Sequence, residues 1–217
     1  MIEIKVAARD SKLSRMQVQE VLHEFKAFYP TAVFLPYFVK TSGDLDHKTS
    51  LLLLGKTDFF TKEVDALVVQ GICDVGIHSA KDLPEPLAEG LCLYAITQGV
   101  DPSDSLVFQA EQDIHLLPFQ ARVGISSSRR IEMLRSLRQD LVPVDIRGTI
   151  EQRLALVEKG TLEAVIIAEA ALIRLGLTFL PRYVFPDKTA PLQGKLAVVG
   201  RTDNKHLKKI FQKLDAR

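Results

Sequence analysis

Residues 1–39 read MIEIKVAARDSKLSRMQVQEVLHEFKAFYPTAVFLPYFV, and this stretch decides the fold class. Ile2 to Ala8 is mostly apolar and favours a strand, while apolar residues from Leu13 to Phe25 recur near helical spacing after Ser11, a preferred N-cap residue. Val33 to Val39 favours a second strand. A strand, a helix and a strand in this order are typical of βα units in a parallel or mixed sheet with helices on its faces.

The alternation continues to the end of the chain, so the sequence predicts an α/β fold. Later strands are predicted at residues 73–78, 105–108, 122–125, 141–146, 164–168 and 196–199. The polar stretch from Gly99 to Asp104 predicts a hinge, and the last strand with its following helix is predicted to rejoin the first domain. We therefore predict a first domain of residues 1–98 plus 196–217 and a second domain of residues 102–192. The polar, turn-rich residues 40–50 predict a mobile loop.

Composition excludes several classes of protein. The chain has 217 residues, 47% of them hydrophobic and 25% charged, which is ordinary for a globular protein. No apolar run approaches the ~20 residues of a membrane span, and the N-terminus lacks the pattern of an export signal, so we expect a cytoplasmic protein. Two cysteines, Cys73 and Cys92, provide neither a disulfide framework nor a zinc motif; both are expected to be buried, and no metal site is predicted.

Basic residues concentrate at three predicted junctions between a strand and a helix. The junctions are Arg9 before Ser11, Arg129-Arg130 after Ser126-Ser127-Ser128, and Arg147 before Gly148-Thr149. Unpaired N–H groups at a helix start, together with guanidinium groups, favour carboxylates or phosphates. The net charge is only +1, so anion binding has to come from such local clusters. The charge pattern equally allows solvated helix faces or ion pairs between domains.

Three further arginines lie in or near the helices that follow these junctions. Arg153 lies six residues after Arg147, within the first turns of the next helix, where it is predicted to face the same ligand. Arg135 and Arg138 are predicted to be solvated.

The segment IHSAKDLP, residues 77–84, places a lysine and a carboxylate at the end of an apolar strand. Asp82 is a candidate catalytic acid, since a carboxylate can stabilise a developing cation or transfer protons, and Lys81 is a candidate partner for a substrate acid group. A purely structural Lys-Asp loop remains an alternative. His78 lies within the apolar run, and we interpret it as a core histidine, with a role as a base as the alternative.

Taken together, these segments resemble the porphobilinogen deaminase (hydroxymethylbilane synthase) family of tetrapyrrole biosynthesis. The resemblance rests on motifs that occur in family order, at nearly family spacing, across essentially the whole chain. They are AARDS at 7–11, TSGD at 41–44, FTKE at 60–63, HSAKDLP at 78–84, DPSD at 101–104, GISSSRR at 124–130, DIRGT at 145–149, ALIRLG at 171–176 and QG at 193–194.

The resemblance implies two periplasmic-binding-protein-like domains with a cleft between them, and a transferase that joins porphobilinogen units head to tail with loss of ammonia in haem (porphyrin) biosynthesis. It implies that Asp82 is catalytic, stabilising positively charged pyrrole intermediates and assisting proton transfer. It also implies a set of residues that bind the substrate or cofactor: Arg9, Ser11, Asp44, Lys81, Ser126, Ser127, Arg129, Arg130, Arg147, Gly148, Arg153, Arg174 and Gln193.

The chain also departs from the family pattern. Family members have a third α+β domain whose cysteine holds a dipyrromethane primer, and since the sequence ends at Arg217 we expect this domain to be absent. Neither Cys73 nor Cys92 matches that cysteine, so we predict that the dipyrromethane cofactor is not covalently attached here. Leu53 and Thr57 stand where members commonly have lysines for the cofactor, and Lys56 is a candidate substitute for one of them.

Two hypotheses for the function follow. The first is a deaminase that still polymerises porphobilinogen, as a monomer without a nucleic-acid or membrane partner. The alternative is a non-catalytic protein that binds polycarboxylates or oligopyrroles. Asp82 favours the enzyme, because a protein that only binds tetra-acids gains nothing from a carboxylate facing them. Nucleic-acid binding is a weaker third hypothesis, since the arginines lack interleaved aromatic residues.

Overall fold

A computed structural model describes residues 2–52, 54, 57–109, 114–186 and 189–217. The described residues form two compact α/β units, as the sequence predicted. Unit 1 falls within the ranges 1–46, 56–100 and 191–217, and unit 2 within 47–55 and 101–190. The described part of the chain contains no helix that is both long enough and apolar enough to cross a membrane.

The regular elements alternate along the chain much as the sequence pattern indicated. In chain order they are β1 (Ile2–Arg9), α1 (Lys12–Lys26), β2 (Ala32–Val39), α2 (Ser42–Leu45), α3 (Lys62–Val69), β3 (Val75–Ser79), β4 (Leu91–Ile96), β5 (Asp104–Phe108), β6 (Arg122–Ile125), α4 (Ser128–Leu137), β7 (Val142–Asp145), α5 (Ile150–Glu158), β8 (Ala164–Ala168), α6 (Glu169–Leu175), β9 (Arg182–Val184), β10 (Leu196–Arg201) and α7 (Lys205–Phe211).

Unit 1 is built on a five-stranded sheet in the order β2-β1-β3-β10-β4. Strand β1 is parallel to β2 and β3, whereas β10 is antiparallel to both β3 and β4. On one face, Phe25 of α1 and Phe211 of α7 share a core with Ile4 and Val6 of β1. On the other face, Val64 of α3 belongs to a second cluster. The sheet is therefore covered by helices on both sides, as expected for a largely parallel sheet.

Unit 2 repeats this arrangement in the order β7-β6-β8-β5-β9. Strand β6 lies between β7 and β8 and is parallel to both, and β5 is antiparallel to β8 and β9. Leu106, Val123 and Ile166 from three adjacent strands and Leu134 of α4 belong to one buried cluster. In both sheets the middle strand of the three parallel strands, β1 or β6, precedes the other two along the chain, and the next strand across the sheet, β10 or β5, is antiparallel.

Three details differ from the sequence-based expectation. Residues 47–52 and 54 cluster with unit 2, where Leu52 packs against the core, and residues 191–192 cluster with unit 1. The segment predicted as a mobile loop contains the one-turn helix α2, whose start is closed by a capping box between Thr41 and Asp44.

One local expectation is confirmed. The capping box predicted for α5, between Thr149 and Gln152, is present.

Candidate functional site

In unit 1 the candidate residues lie at the edge of the sheet where the parallel strands end. Because β1, β2 and β3 are parallel, the segments that follow them leave at the same edge, and the antiparallel β10 begins there, with Leu196 opposite Ser79. Ligands of open α/β sheets bind at the carboxyl ends of the strands. The residues collected at this edge are Arg9, Ser11, Asp44, Lys81, Asp82 and Gln193.

Arg9 ends β1 and is held from two sides. Its Nη2 donates a hydrogen bond to Oδ1 of Asp44, and its Nε donates to Oδ2 of the same carboxylate at 3.3 Å. The guanidinium carbon lies 4.4 Å from the ring centroid of Phe60, which is cation–π distance. A planar, fixed guanidinium of this kind is suited to binding a carboxylate in one orientation.

Asp44 connects Arg9 to the start of α2. Its Oδ2 accepts hydrogen bonds from the backbone N of Thr41 at 3.0 Å and from the Thr41 hydroxyl at 2.8 Å. Burial alone would raise the pKa of Asp44, but the hydrogen bond and charge of Arg9, helped by Thr41, outweigh it and lower that pKa below its usual value. The ionised carboxylate therefore orders both α2 and Arg9.

Ser11 has the local role that the sequence indicated. It is the N-cap of α1, and its hydroxyl accepts a hydrogen bond from the N of Ser14 at 3.1 Å. Its contribution to ligand binding stays a prediction.

The lysine and aspartate of the HSAKDLP motif lie in a single 3₁₀ turn, Ala80–Asp82, directly after β3. The ammonium group of Lys81 donates to Oε1 of the buried Gln193 at 3.0 Å. The backbone N of Ala80 also donates to the carbonyl of Lys195 at 3.0 Å. Two hydrogen bonds thus tie this turn to the segment that leads into β10. Asp82 is partly buried, and the backbone that carries it is held in place by these bonds.

In unit 2 the equivalent edge collects most of the remaining candidates. Strands β6, β7 and β8 end there, and the antiparallel β5 begins there, with Asp104 opposite Ala168. Ser126 and Ser127 follow β6, with Ser127 as the N-cap residue of α4, and Arg147 and Gly148 follow β7. Arg174, partly buried, lies further from the edge, near the end of α6.

Arg129 and Arg130, at the start of α4, share one carboxylate. Nη2 of Arg130 donates to Oδ1 of Asp104 at 2.6 Å, and Nη2 of Arg129 donates to Oδ2. Arg130 also donates to the carbonyl of Ile166 at 3.0 Å. Its side chain is only 7% exposed, so the solvated-face alternative is wrong for Arg130, whereas Arg129 is 30% exposed.

Arg153 connects two of the loops at this edge. Its Nη1 donates to the hydroxyl of Ser126 at 2.9 Å, and its Nε donates to the carbonyl of Gly148 at 2.9 Å. Gly148 has a φ of +97°, and a Cβ there would lie 2.4 Å from Oε1 of Gln152, whose amide side chain caps α5. Glycine is therefore required at position 148, and Arg153 fixes the loops after β6 and β7 relative to each other.

Three sequence-based expectations away from these edges have clear outcomes. His78 is a core histidine, with its Nε2 3.0 Å from Oδ1 of Asp65 and both side chains at most 5% exposed. Arg138 is not merely solvated, because it binds Asp140 at 2.6 Å and two carbonyls near the turn Ile114–Leu116. Cys73 is fully buried, but Cys92 is only partly buried, contrary to the expectation.

The loop expected to contact a cofactor is only partly covered by the structure. Leu53 and Lys56 lie outside the described residues. Thr57 is exposed.

The sequence reasoning missed Asp104 as a contributor to the site. The sequence did contain a signal for Asp104, because an aspartate directly before the apolar run SLVF is expected at the start of a buried strand. A buried carboxylate needs a cationic or hydrogen-bonding partner. Phe60 was also missed, since its role depends on packing that only the folded chain shows.

The donors at the two edges fit an acid-bearing organic ligand. They are guanidinium, ammonium, amide and hydroxyl groups, which match carboxylates. Within the described ranges, no group of three or more His, Cys, Asp or Glu side chains is arranged to hold a metal ion.

Comparison with solved structures defines the class of fold. A probable amino-acid ABC transporter extracellular-binding protein from Bacillus subtilis superposes with a TM-score of 0.57, at 12% identity, over 99% of this chain and 90% of its own. The BvgS periplasmic VFT2 domain of Bordetella pertussis gives 0.55, at 14% identity, over 98% and 86%. The fold is thus periplasmic-binding-protein-like, with two α/β domains.

Sequence comparison narrows this class to one family. The family model described as porphobilinogen deaminase, dipyromethane cofactor binding domain, matches residues 4–209, so the chain belongs to the porphobilinogen deaminase family. A probable porphobilinogen deaminase from Chlamydia trachomatis is 41% identical over 95% of this chain and 84% of its own length. A porphobilinogen deaminase from Moorella thermoacetica is 40% identical over 81% of this chain and 56% of its own.

Proposed function

We propose that this protein is a hydroxymethylbilane synthase, a transferase that condenses porphobilinogen head to tail in the tetrapyrrole (haem) pathway, as a cytoplasmic monomer. The observation that carries the proposal is the turn Ala80–Asp82. This turn places the Asp82 carboxylate at the edge of the unit 1 sheet where the parallel strands end. The neighbouring Lys81 donates a hydrogen bond to Gln193. Relatives named probable porphobilinogen deaminase or porphobilinogen deaminase support the same reaction.

Asp82 is the proposed catalytic residue. Loss of ammonia from porphobilinogen leaves a positively charged pyrrole, and a carboxylate placed beside it stabilises that charge as it develops. The same carboxylate transfers protons to or from the reacting pyrrole. Because the turn is tied to the segment before β10, the carboxylate does not have to be reorganised during the reaction.

The basic residues at the two edges are proposed to bind the acetate and propionate groups. In unit 1 these are Arg9 and Lys81, with Ser11, Asp44 and Gln193 supporting them. In unit 2 the proposed contacts are Ser126, Ser127, Arg129, Arg130, Arg147, Gly148, Arg153 and Arg174. Bidentate guanidinium contacts fix planar acid groups in one orientation.

The same donors suit a dipyrromethane, whose acid groups are of the same kind and whose terminal pyrrole supplies the nucleophile for chain growth. We propose that this chain holds it through the acid groups and not through Cys73 or Cys92. The complete burial of Cys73 supports this proposal.

Incubation of the purified protein with porphobilinogen tests the function directly. The product is oxidised, and uroporphyrin is followed by its absorbance. We expect absorbance that grows with time and with protein concentration. Consumption of porphobilinogen at the rate of a protein-free blank, combined with measurable binding of it, would instead favour the polycarboxylate-binding alternative.

A further inference from the structure

Asp104 is a carboxylate with no exposed surface that holds two arginines of the candidate site at once. Asp104 is the first residue of β5 and lies opposite Ala168 at the end of β8. It therefore lies at the edge of the unit 2 sheet where the parallel strands end. Each of its oxygens accepts from a different guanidinium, Oδ1 from Arg130 and Oδ2 from Arg129. Fully buried carboxylates are rare and need partners of this kind.

The two arginines stand in different surroundings. Arg130 is enclosed, and its remaining contacts include the backbone carbonyl of Ile166 and the hydroxyl of Ser126. Arg129 keeps 30% of its side chain exposed, and its Nη2 donates a hydrogen bond to Asp104. Its Nη1 lies 3.9 Å from the sulfur of Met133. Within this trio two positive charges face one negative charge, so the trio has a net charge of +1, and Arg129 is the member in contact with solvent.

We propose that Asp104 is a positioning residue for substrate binding, acting through Arg129: it fixes the exposed guanidinium so that it can receive a carboxylate of porphobilinogen or of the growing chain. This inference rests on the proposed function and adds a residue to it. Asp104 does not touch the substrate. Its effect is orientation, because a guanidinium that is already held in place loses less rotational freedom when it binds an anion.

A second buried pair in unit 2 provides a matched control. Glu169, at the start of α6, is 3% exposed. It accepts three hydrogen bonds from Arg182 and one of 2.5 Å from Ser105, the residue next to Asp104. It therefore matches Asp104 in charge and burial and is likewise paired with arginine, although with one instead of two, and its partner Arg182 is not among the candidate binding residues.

The test compares Asp104→Asn with Glu169→Gln in steady-state assays with porphobilinogen, alongside the thermal midpoint of each variant. Both changes are expected to lower stability. Only Asp104→Asn is expected to raise KM, by about tenfold or more, the effect of losing a hydrogen bond to a charged group, with kcat within a factor of about three. Equal KM changes in the two variants would reduce Asp104 to a structural role and overturn the proposal.

A double-mutant cycle tests the route through Arg129. If Asp104 acts chiefly by orienting Arg129, the rise in KM caused by Asp104→Asn should be much smaller in a chain that already has Arg129→Ala, and the part that remains reflects Arg130, which Asp104 also holds. A full additional increase in that background would overturn the proposal. A wild-type protein that forms no product would instead refute the proposed function, and this inference with it, whereas an active wild type with a normal KM in Asp104→Asn refutes only the role of Asp104.

Should Asp104→Asn fail to fold, Arg129→Lys tests the same idea in a chain with the buried pair of Asp104 and Arg130 intact. Lysine keeps the positive charge but lacks the planar fork that one carboxylate can orient. We expect a KM close to that of Arg129→Ala. A KM close to wild type would show that charge alone is sufficient and would contradict positioning.

Discussion

The ammonium group of Lys81 donates a hydrogen bond of 3.0 Å to Oε1 of Gln193, which lies 112 positions further along the chain. We expect Gln193→Leu to raise the KM for porphobilinogen by roughly ten- to a hundredfold, because the bond to a charged group is lost and Lys81 is no longer directed. Gln17→Leu is the matched control: Gln17 is equally buried and donates to the Ser79 hydroxyl at 2.9 Å. A KM that changes equally in both variants would contradict this role of Gln193.

Asp82→Asn should reduce kcat by about a hundredfold or more while leaving the affinity for porphobilinogen unchanged or higher. The carboxylate acts on charge that develops during the reaction, and it repels the substrate's acid groups beforehand. Asp74 is a fitting control, since it precedes β3 at the opposite edge of the sheet and accepts from the N of Lys5 at 2.8 Å. Asp74→Asn should retain wild-type turnover, and wild-type turnover in Asp82→Asn would refute the assignment.

Arg129→Ala and Arg130→Ala should differ in how strongly each lowers stability. Removing Arg130 takes away one of the two ion-pair partners of the fully buried Asp104. This change should lower the free energy of unfolding by about 3 kcal/mol or more. Removing the more exposed Arg129 should change stability much less and weaken porphobilinogen binding by roughly 1.5–3 kcal/mol. Urea titration and calorimetry separate the two quantities, and equal stability losses would show that Arg129 is as structural as Arg130.

Acid should weaken the contribution of Asp104 to stability. Burial alone would raise the pKa of Asp104, but the charges and hydrogen bonds of Arg130 and Arg129 lower it below its usual value of 3.8. A lowered carboxyl pKa stabilises the folded state above the unfolded pKa, and this contribution is lost as the pH falls through the folded value. The difference in thermal midpoint between wild type and Asp104→Asn should therefore be constant from about pH 5 to 7 and should narrow below about pH 4. A thermal-midpoint difference that stays constant down to about pH 3 would contradict this contribution of the Asp104 carboxylate.

Neither cysteine should carry a covalent dipyrromethane. Burial, reinforced by the charge of Asp74, raises the pKa of Cys73 and makes its thiolate scarce. Cys92 is partly buried and should react with iodoacetamide in the native protein before Cys73 does. Intact-mass spectrometry of the purified chain should give the sequence mass of 24.2 kDa. An added two-pyrrole mass located on either cysteine would refute the prediction.

Local patterns along the sequence were sufficient to predict the α/β class and most of the element order, whereas the periplasmic-binding-protein-like fold was implied by the family resemblance. Apolar runs and caps such as Ser11 and Thr149 gave the order of strands and helices, because hydrophobic periodicity and capping depend on neighbours in sequence. The position of residues 47–52 and 54 with unit 2 was not predictable, since it depends on where Leu52 packs. For the site, motif and junction positions identified the arginines but not their partners. Asp104 and Arg130 form a buried pair only after β5 and α4 meet.

Strand β10 has a further consequence for how the protein is made. It lies inside sheet 1, between β3 and β4, yet it is synthesised after all of β5 to β9. A nascent chain on the ribosome can therefore complete the second sheet while the first still lacks an interior strand, with the edges of β3 and β4 open to other partners. Chaperone protection during translation should matter most in that interval, and a stop codon before residue 196 should yield a chain whose second half folds and whose first half does not.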